Sequence, residues 1–362
     1  MGKKLVLVSS LVVLSVLSYG QEFRKYVNSF LYNPVDAKGQ AMSGAMAGSS
    51  DDVFASYWNP AGLAGIDSTK THIGFMHVFD GLYNYDVAAL AFPMKDKQVL
   101  GITGIRYGVD GIPNTLDFVD ASGNINPNGI ESFSVADYAG LISYSKFSKN
   151  ERLSIGGNVK IIHRSAGDFA KAWGGGLDLG AKYRSENGQW ITAATLKDVL
   201  GTYTSWSFSF SDEDIATFAE TDNDIPESGS IEATTPTLVL GSRRQFQAGK
   251  FSIAPELNLD FTFDGQRNTL VGFDPVSIDP HMGIEVGYDQ TIFLRGGIGN
   301  IQEITDLDSF EKRWDIQPSG GAGIKLSGFE LDYALTQYDF RQDITHLVTL
   351  KLGLAKPVKE NR

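Results

Sequence analysis

From about residue 70 onward, apolar and polar side chains trade places at every step, and this period of two constrains the fold more than any other feature. Phe251, Ile253, Leu257, Leu259, Phe261 and Phe263 share one side, while Ser252, Glu256, Asn258, Asp260, Thr262 and Asp264 take the other. Leu153, Ile155, Val159 and Ile161 alternate with Ser154, Asn158, Lys160 and Ile162, and the stretches 177–184, 329–336 and 348–354 repeat the habit. Such runs are strands with one apolar and one wet face, because successive side chains of a strand point to opposite sides. Short turns separate them at Asp80-Gly81, Lys149-Asn150, Asn187-Gly188, Ala248-Gly249 and Ser327-Gly328, with longer polar segments around 110–132, 199–235, 264–280 and 300–314. The pattern predicts fourteen strands, starting near residues 71, 84, 98, 134, 152, 174, 189, 236, 250, 282, 291, 316, 329 and 345.

A soluble β-sandwich alternates too. Three features favour a transmembrane barrel: an even strand number, short connections at one rim and long ones at the other, and charges in strand centres. Aromatic residues near strand ends (Tyr83, Tyr85, Tyr107, Tyr144, Trp190, Tyr288 and Tyr338) suit girdles at a membrane interface.

The start of the chain fits a secreted protein. Lys3 and Lys4 precede an apolar run from Leu5 to Leu17, and Ser18-Tyr19-Gly20 forms a small-x-small site before Gln21. This predicts a signal peptide over 1–20, cleaved near Gly20-Gln21. No later apolar stretch approaches the length of a membrane helix, so a membrane-spanning form must be a closed barrel. The chain has no cysteine, which excludes disulfides, thiolate metal sites and a lipidated cysteine anchor. Its net charge of −12 argues against nucleic acid as a partner.

Residues 21–69 do not alternate. Small residues from Ala37 to Gly48 lead into "SSDDVFASYWNPAGLAGI", residues 49–66. Asp51 or Asp52 is placed to cap a short helix, and Asn59-Pro60 marks a turn. The expectation is an N-terminal plug lying inside a barrel over 70–355, with a tail over 356–362.

The stretch "DAKGQAMSGAMAGSSDDVFASYWNPAGLAGI" resembles the N-terminus of FadL-type outer-membrane proteins, and Tyr57-Trp58 before Asn59-Pro60-Ala61 is similar to the PorV/PorQ family of the Bacteroidetes. The ending Thr345 to Ala355 resembles that family's closing strand. The resemblance implies a fourteen-stranded outer-membrane barrel in contact with lipid. It also implies either a structural or partner-binding role with the type IX secretion translocon or its cargo, or uptake of hydrophobic small molecules such as long-chain fatty acids. Gly62-Leu63 follows the motif, as in the transporter-like relatives, where the cargo shuttles carry Lys-Tyr. The family motif here is Asp51, Asp52, Trp58, Asn59, Pro60, Ala61 and Gly62.

Signatures of catalysis are missing. There is no Gly-x-Ser-x-Gly elbow, no Walker A motif and no HExxH among the five histidines. The acidic run "DEDIATFAETDNDIPE" lacks the spacing of a calcium loop and reads as a solvated loop. No catalytic, cofactor or metal residue is expected, and a secreted enzyme on a soluble β scaffold is the weakest reading. The predicted lumen instead carries charges of both signs: Lys160, Lys182, Arg184, Arg295, Lys325 and Lys351 against Asp178, Glu256, Asp260, Glu285, Glu330 and Asp332. Facing each other in a narrow lumen, they would pair, hold the plug and keep the barrel closed. The leading expectation is therefore a PorV/PorQ-type barrel associated with type IX secretion, with a FadL-like transporter as the alternative.

Overall fold

A computed structural model describes residues 27–79, 81–115, 118, 125, 129–220, 224–225, 228–305, 311–337 and 344–355. The signal-peptide and C-terminal-tail expectations lie outside these residues, as does Tyr338. The strands are β1 (Lys70–Phe79), β2 (Asn84–Pro93), β3 (Gln98–Asn114), β4 (Glu131–Phe147), β5 (Leu153–Ala166), β6 (Ala170–Arg184), β7 (Trp190–Lys197), β8 (Thr202–Phe208) and β9 (Ile231–Thr234). They continue as β10 (Thr237–Arg244), β11 (Phe246–Ala248), β12 (Phe251–Thr262), β13 (Val271–Gly272), β14 (Ser277–Tyr288), β15 (Ile292–Thr305), β16 (Lys312–Leu326), β17 (Phe329–Thr336) and β18 (Thr345–Ala355).

Each strand pairs antiparallel with the next around a ring that β18 closes on β1, from Lys70↔Ala355 to Phe79↔His346. The ring has the fourteen wall positions expected, filled by β1 to β7, β10, β12 and β14 to β18. Closure removes both edges of the ring, so each of its fourteen wall strands finds a ladder partner on each side.

The alternation sorts the two faces. Leu153, Ile155, Val159 and Ile161 are exposed outward, while Ser154, Asn158, Lys160 and Ile162 are buried inside. On β6 the outward residues run from Trp173 to Tyr183, both exposed, with Leu177 and Leu179 between. Ten residues span about 33 Å along a strand; at a tilt of about 40° that is roughly 25 Å of height, the apolar band of an outer-membrane barrel.

Some expectations are corrected. β4, β6, β14 and β16 begin three to five residues before the expected starts, at Glu131, Ala170, Ser277 and Lys312. These ends project past the apolar band, where both faces are wet and alternation fades. The acidic stretch 199–235 is not one loop. It holds β8, a helix α3 (Asp212–Glu220) and β9, with β8 pairing to the first half of β6 and β9 pairing to β8. Tyr83, Tyr85 and Tyr107 are not girdle residues. Tyr85 is fully buried, and Tyr83 and Tyr107 pack with it against the inner core, because Tyr85 and Tyr107 have the lumen-facing parity on β2 and β3, and Tyr83, just before β2, lies 5.2 Å from the Tyr107 ring. Tyr144, Trp190 and Tyr288 do face outward.

Candidate functional site

Residues 27–66 fold inside the ring and include two short helices, α1 (Ala37–Ala41) and α2 (Ala55–Trp58), and a 3-10 turn over Pro60–Gly65. Small residues let backbone meet wall. Asn59 is fully buried; its amide donates to the carbonyls of Ala47 at 3.2 Å and Ala181 at 3.3 Å, and its Oδ1 accepts from Ala61 N at 3.1 Å. Pro60 follows Asn59 into the turn and sits over Gly156 and Gly180, which are direct partners on β5 and β6. A Cβ at Gly156 would lie 2.6 Å from Pro60 C, and one at Gly180 would lie 2.2 Å from Asn59 Oδ1. Ala61 is fully buried, and Gly62 lies so close to Ser50 O that a Cβ there would be 2.0 Å away. Trp58 is half-buried, stands edge-on to Tyr57 at 4.9 Å and donates its indole N–H to Asp36 at 2.7 Å.

The charged residues form clusters along the inner wall from β5 and β6 round to β18. Lys351 Nζ reaches Asp52 at 2.9 Å, Glu330 at 2.6 Å and Asp332 at 2.9 Å. Arg295 joins Asp332 at 2.6 Å to Glu285 at 2.8 Å, and Arg243 also reaches Glu285 at 3.4 Å. Glu256 accepts from Gly48 N at 2.6 Å, and Lys182 donates to Ser50 O at 2.9 Å. Lys160 bridges Asp178 at 2.9 Å and Asp198. Asp260 lies 3.9 Å from His281, whose other ring nitrogen is 2.7 Å from Ser43 O. Asp51 is exposed and pairs with Lys38 at 3.3 Å. Two members do not reach the interior: Arg184 is exposed at the rim of short turns, and so is Lys325, which pairs with Glu330 there at 3.4 Å. Both sit at strand ends, where inward parity points into solvent.

Asp36, beside the Lys351 cluster, is fully buried. Burial, with the carboxylate of Asp52 nearby, pushes its carboxyl up from 3.8 to about 6, against the Lys351 ammonium and the Trp58 hydrogen bond. Burial lowers the Lys38 ammonium, but Asp51, Glu285 and Asp52 outweigh it and hold Lys38 above the usual lysine range.

An apolar core lies against the inner faces of β18, β1, β2 and β3. Val35 and Phe54 of the N-terminal segment pack with Met76, Val87, Ile105 and Leu347 in one continuous core. Above it, toward the rim of long connections, lies an aromatic series that the sequence reading missed. Trp206 stacks parallel to Phe208 at 6.1 Å, Phe208 to Phe210 at 6.0 Å, and Phe169 to Phe210 at 6.3 Å. Phe133 meets Phe169 edge-on at 5.1 Å, and Phe218 of α3 meets Phe210 at 5.1 Å. The series leads down to buried Phe30, since the Arg164 guanidinium lies 5.2 Å from the Trp206 ring and 5.9 Å from the Phe30 ring. Asp137 fixes that guanidinium with two hydrogen bonds, at 2.8 and 3.1 Å. The signal was present in Trp206-Ser-Phe-Ser-Phe, where aromatics recur every second residue inside an otherwise acidic stretch.

Among the described residues no group of histidines and acids is placed to hold a metal ion. No family model matches the chain, and neither does any curated protein. Solved structures do match. A structure described as the CymD monoaromatic hydrocarbon channel is 14% identical, with a TM-score of 0.59 over 89% of this chain and 98% of its own. The toluene transporter TbuX of Ralstonia pickettii is 12% identical, with a TM-score of 0.53 over 88% of this chain and 98% of its own. A FadL homologue of Pseudomonas aeruginosa is 12% identical, with a TM-score of 0.52 over 89% and 99%. The chain shares the fold of these channels and transporters.

Proposed function

We propose that this protein is an outer-membrane barrel that admits hydrophobic small molecules, entered from the rim of long connections and closed by its N-terminal segment. One observation carries the reading: the stacked series Trp206, Phe208 and Phe210 leads, across the Arg164 guanidinium, to Phe30 of the buried apolar core. Flat rings at spacings near 6 Å offer an apolar ligand successive surfaces of similar affinity, so it can step inward without a deep trap. The outward apolar band, flanked by Trp173 and Tyr183, supports insertion in a bilayer.

The N-terminal segment is the plug in this account. Its Asn59-Pro60 turn seats on Gly156 and Gly180, and Asp52 ties it to Lys351. The described structure is accordingly the closed form, and passage requires the segment to shift. The fold likeness to hydrocarbon channels supports this uptake reading and lends nothing to the type IX secretion reading.

The test is uptake by host cells lacking their own hydrophobic-compound channel, with radiolabelled toluene and oleate as probes. Expression should accelerate uptake of at least one probe, and Trp206→Ala with Phe210→Ala should reverse most of that gain. Equal uptake with and without the protein, at proven outer-membrane expression, would overturn the proposal.

A further inference from the structure

Three successive outward rows cross β18, β1, β2, β3, β4 and β5, each built from directly paired residues. The first, nearest the short turns, is hydrocarbon: Leu352, Ile73, Leu90, Ile102, Ile142 and Val159. The second runs Leu350, Phe75, Ala88, Gly104, Gly140 and Ile161. The third runs Val348, His77, Asp86, Arg106, Tyr138 and His163.

In the second row three adjacent strands carry nothing larger than a methyl, and the wall is notched there by a cavity of about 710 Å³ that faces away from the lumen. Glycine in a strand interior weakens the strand, so it usually marks a close approach. Gly156 and Gly180 have such a reason in the N-terminal segment. Gly104 and Gly140 have none, because a Cβ built at either meets nothing within 4 Å. The protein's own packing does not need these glycines.

The third row puts charge directly above that space. His77 Nδ1 lies 2.7 Å from Asp86 Oδ1, and Arg106 lies 3.4 Å from Asp86 Oδ2; the three side chains are 43, 45 and 38% exposed on the outer face. An arginine at mid-bilayer costs about 2–4 kcal/mol, falling to about 0–1 near the interface. Arg106 lies toward the interface: a Cβ built at Gly108 would meet its Nη2 at 3.2 Å, so the side chain runs up the strand toward the long connections. Asp86 is engaged through both oxygens and Tyr138 also hydrogen-bonds Arg106; these two take only part of the five N–H donors of the guanidinium, and the rest remain for an anion.

We propose that the notch and this cluster form a binding site for one phosphorylated lipid. Its acyl chain lies over Ala88, Gly104 and Gly140, and its phosphate meets Arg106 with His77 beside it. The two rows are one strand repeat apart, about 7 Å, so an amphiphile whose head and chain are covalently joined contacts both at once. Guanidinium and phosphate match in planar, two-point hydrogen bonding. The site rests on the membrane-barrel reading above but is independent of what passes through the lumen.

Native mass spectrometry of the full chain in detergent tests it, with diphosphorylated lipid A as probe and diacylglycerol as the phosphate-free control. One lipid A should be retained per chain, and diacylglycerol should not. Gly104→Leu with Gly140→Leu fills the notch, and Arg106→Gln removes the phosphate contact; each should weaken retention at least tenfold. Equal retention by all three proteins would overturn the site, as would a dimer that only the leucine variant disrupts, which would assign the notch to a second copy. Unheated gel mobility reads the barrel separately. A normal shift with unaltered lipid retention sinks the site alone, whereas no shift in the parent protein sinks the barrel reading and the site with it.

Discussion

Trp58 gives its indole N–H to Asp36 Oδ1 at 2.7 Å, so the one tryptophan of the family-like motif is tied to the N-terminal segment itself and not to the wall. The ring lies against Gly39, where a Cβ would be 2.2 Å from Trp58 Cζ2. Removing the ring therefore loosens α1 from α2 before it disturbs any strand. Because Trp58 is half-buried, Trp58→Ala should cost about 2–3 kcal/mol, below the 3–5 kcal/mol of a fully buried ring. In planar bilayers the variant should leak more ions while its unheated gel mobility stays that of the parent protein. Leakage at the parental level would place the closing contact elsewhere.

Asp36 makes the docking of this segment sensitive to pH. Its carboxyl in the folded chain titrates at about 6 against 3.8 when exposed. The docked state thus holds the proton longer, and stability falls as pH rises from about 4 through 6. By pH 7 the penalty is complete, on the order of 3 kcal/mol. Asp36→Asn keeps an acceptor for Trp58 and removes the titration. Limited proteolysis of the N-terminal segment should be faster at pH 7 than at pH 5 in the parent protein, and the variant should show little difference between the two.

The Gly156 and Gly180 pair gives a steric test. A side chain at either position enters the space of Asn59 and Pro60, within 2.6 Å at most. Gly180→Val should displace the turn while the β5–β6 ladder, which is backbone only, persists. Conductance should rise as for Trp58→Ala, and the double variant should add little, since both act on one segment.

Lys351 is the cation at the centre of three carboxylates. Lys351→Met leaves Asp332, which is fully buried, with Arg295 alone, and leaves Asp52 without its wall partner. Breaking a buried ion cluster from one side costs about 3–5 kcal/mol. The temperature at which the folded gel band converts to the unfolded one should drop clearly. An unchanged temperature would mean that Glu330 and Asp332 are held by Arg295 and solvent without it.

The wall was legible because lipid-facing and lumen-facing environments differ most in mid-strand. β2, β3, β17 and β18 begin where the alternation begins, at Asn84, Gln98, Phe329 and Thr345. Ends such as Lys312 to Asp315 were not legible, since a strand wet on both faces reads as a loop. The aromatic mouth was hidden by a different ambiguity. Period two says that Trp206, Phe208 and Phe210 share a side but not that the side is the lumen, and eight acids in 199–235 made the stretch look wholly solvated. Tyr85 and Tyr107 were misassigned for the same reason. The partners of the charged residues depend on cross-strand register, such as Lys351↔Glu330, which no single strand's pattern contains.

The central claim is that hydrophobic molecules enter over the aromatic series. A photoreactive diazirine analogue of a fatty acid, added to intact cells and followed by peptide mapping, tests it most directly. Labelling should fall on peptides holding Trp206, Phe208 and Phe210 and on those holding Phe133 and Phe169, and excess unlabelled ligand should compete it away. Labelling confined to outward residues such as Leu177 and Leu179, with none on the aromatic series, would contradict the account.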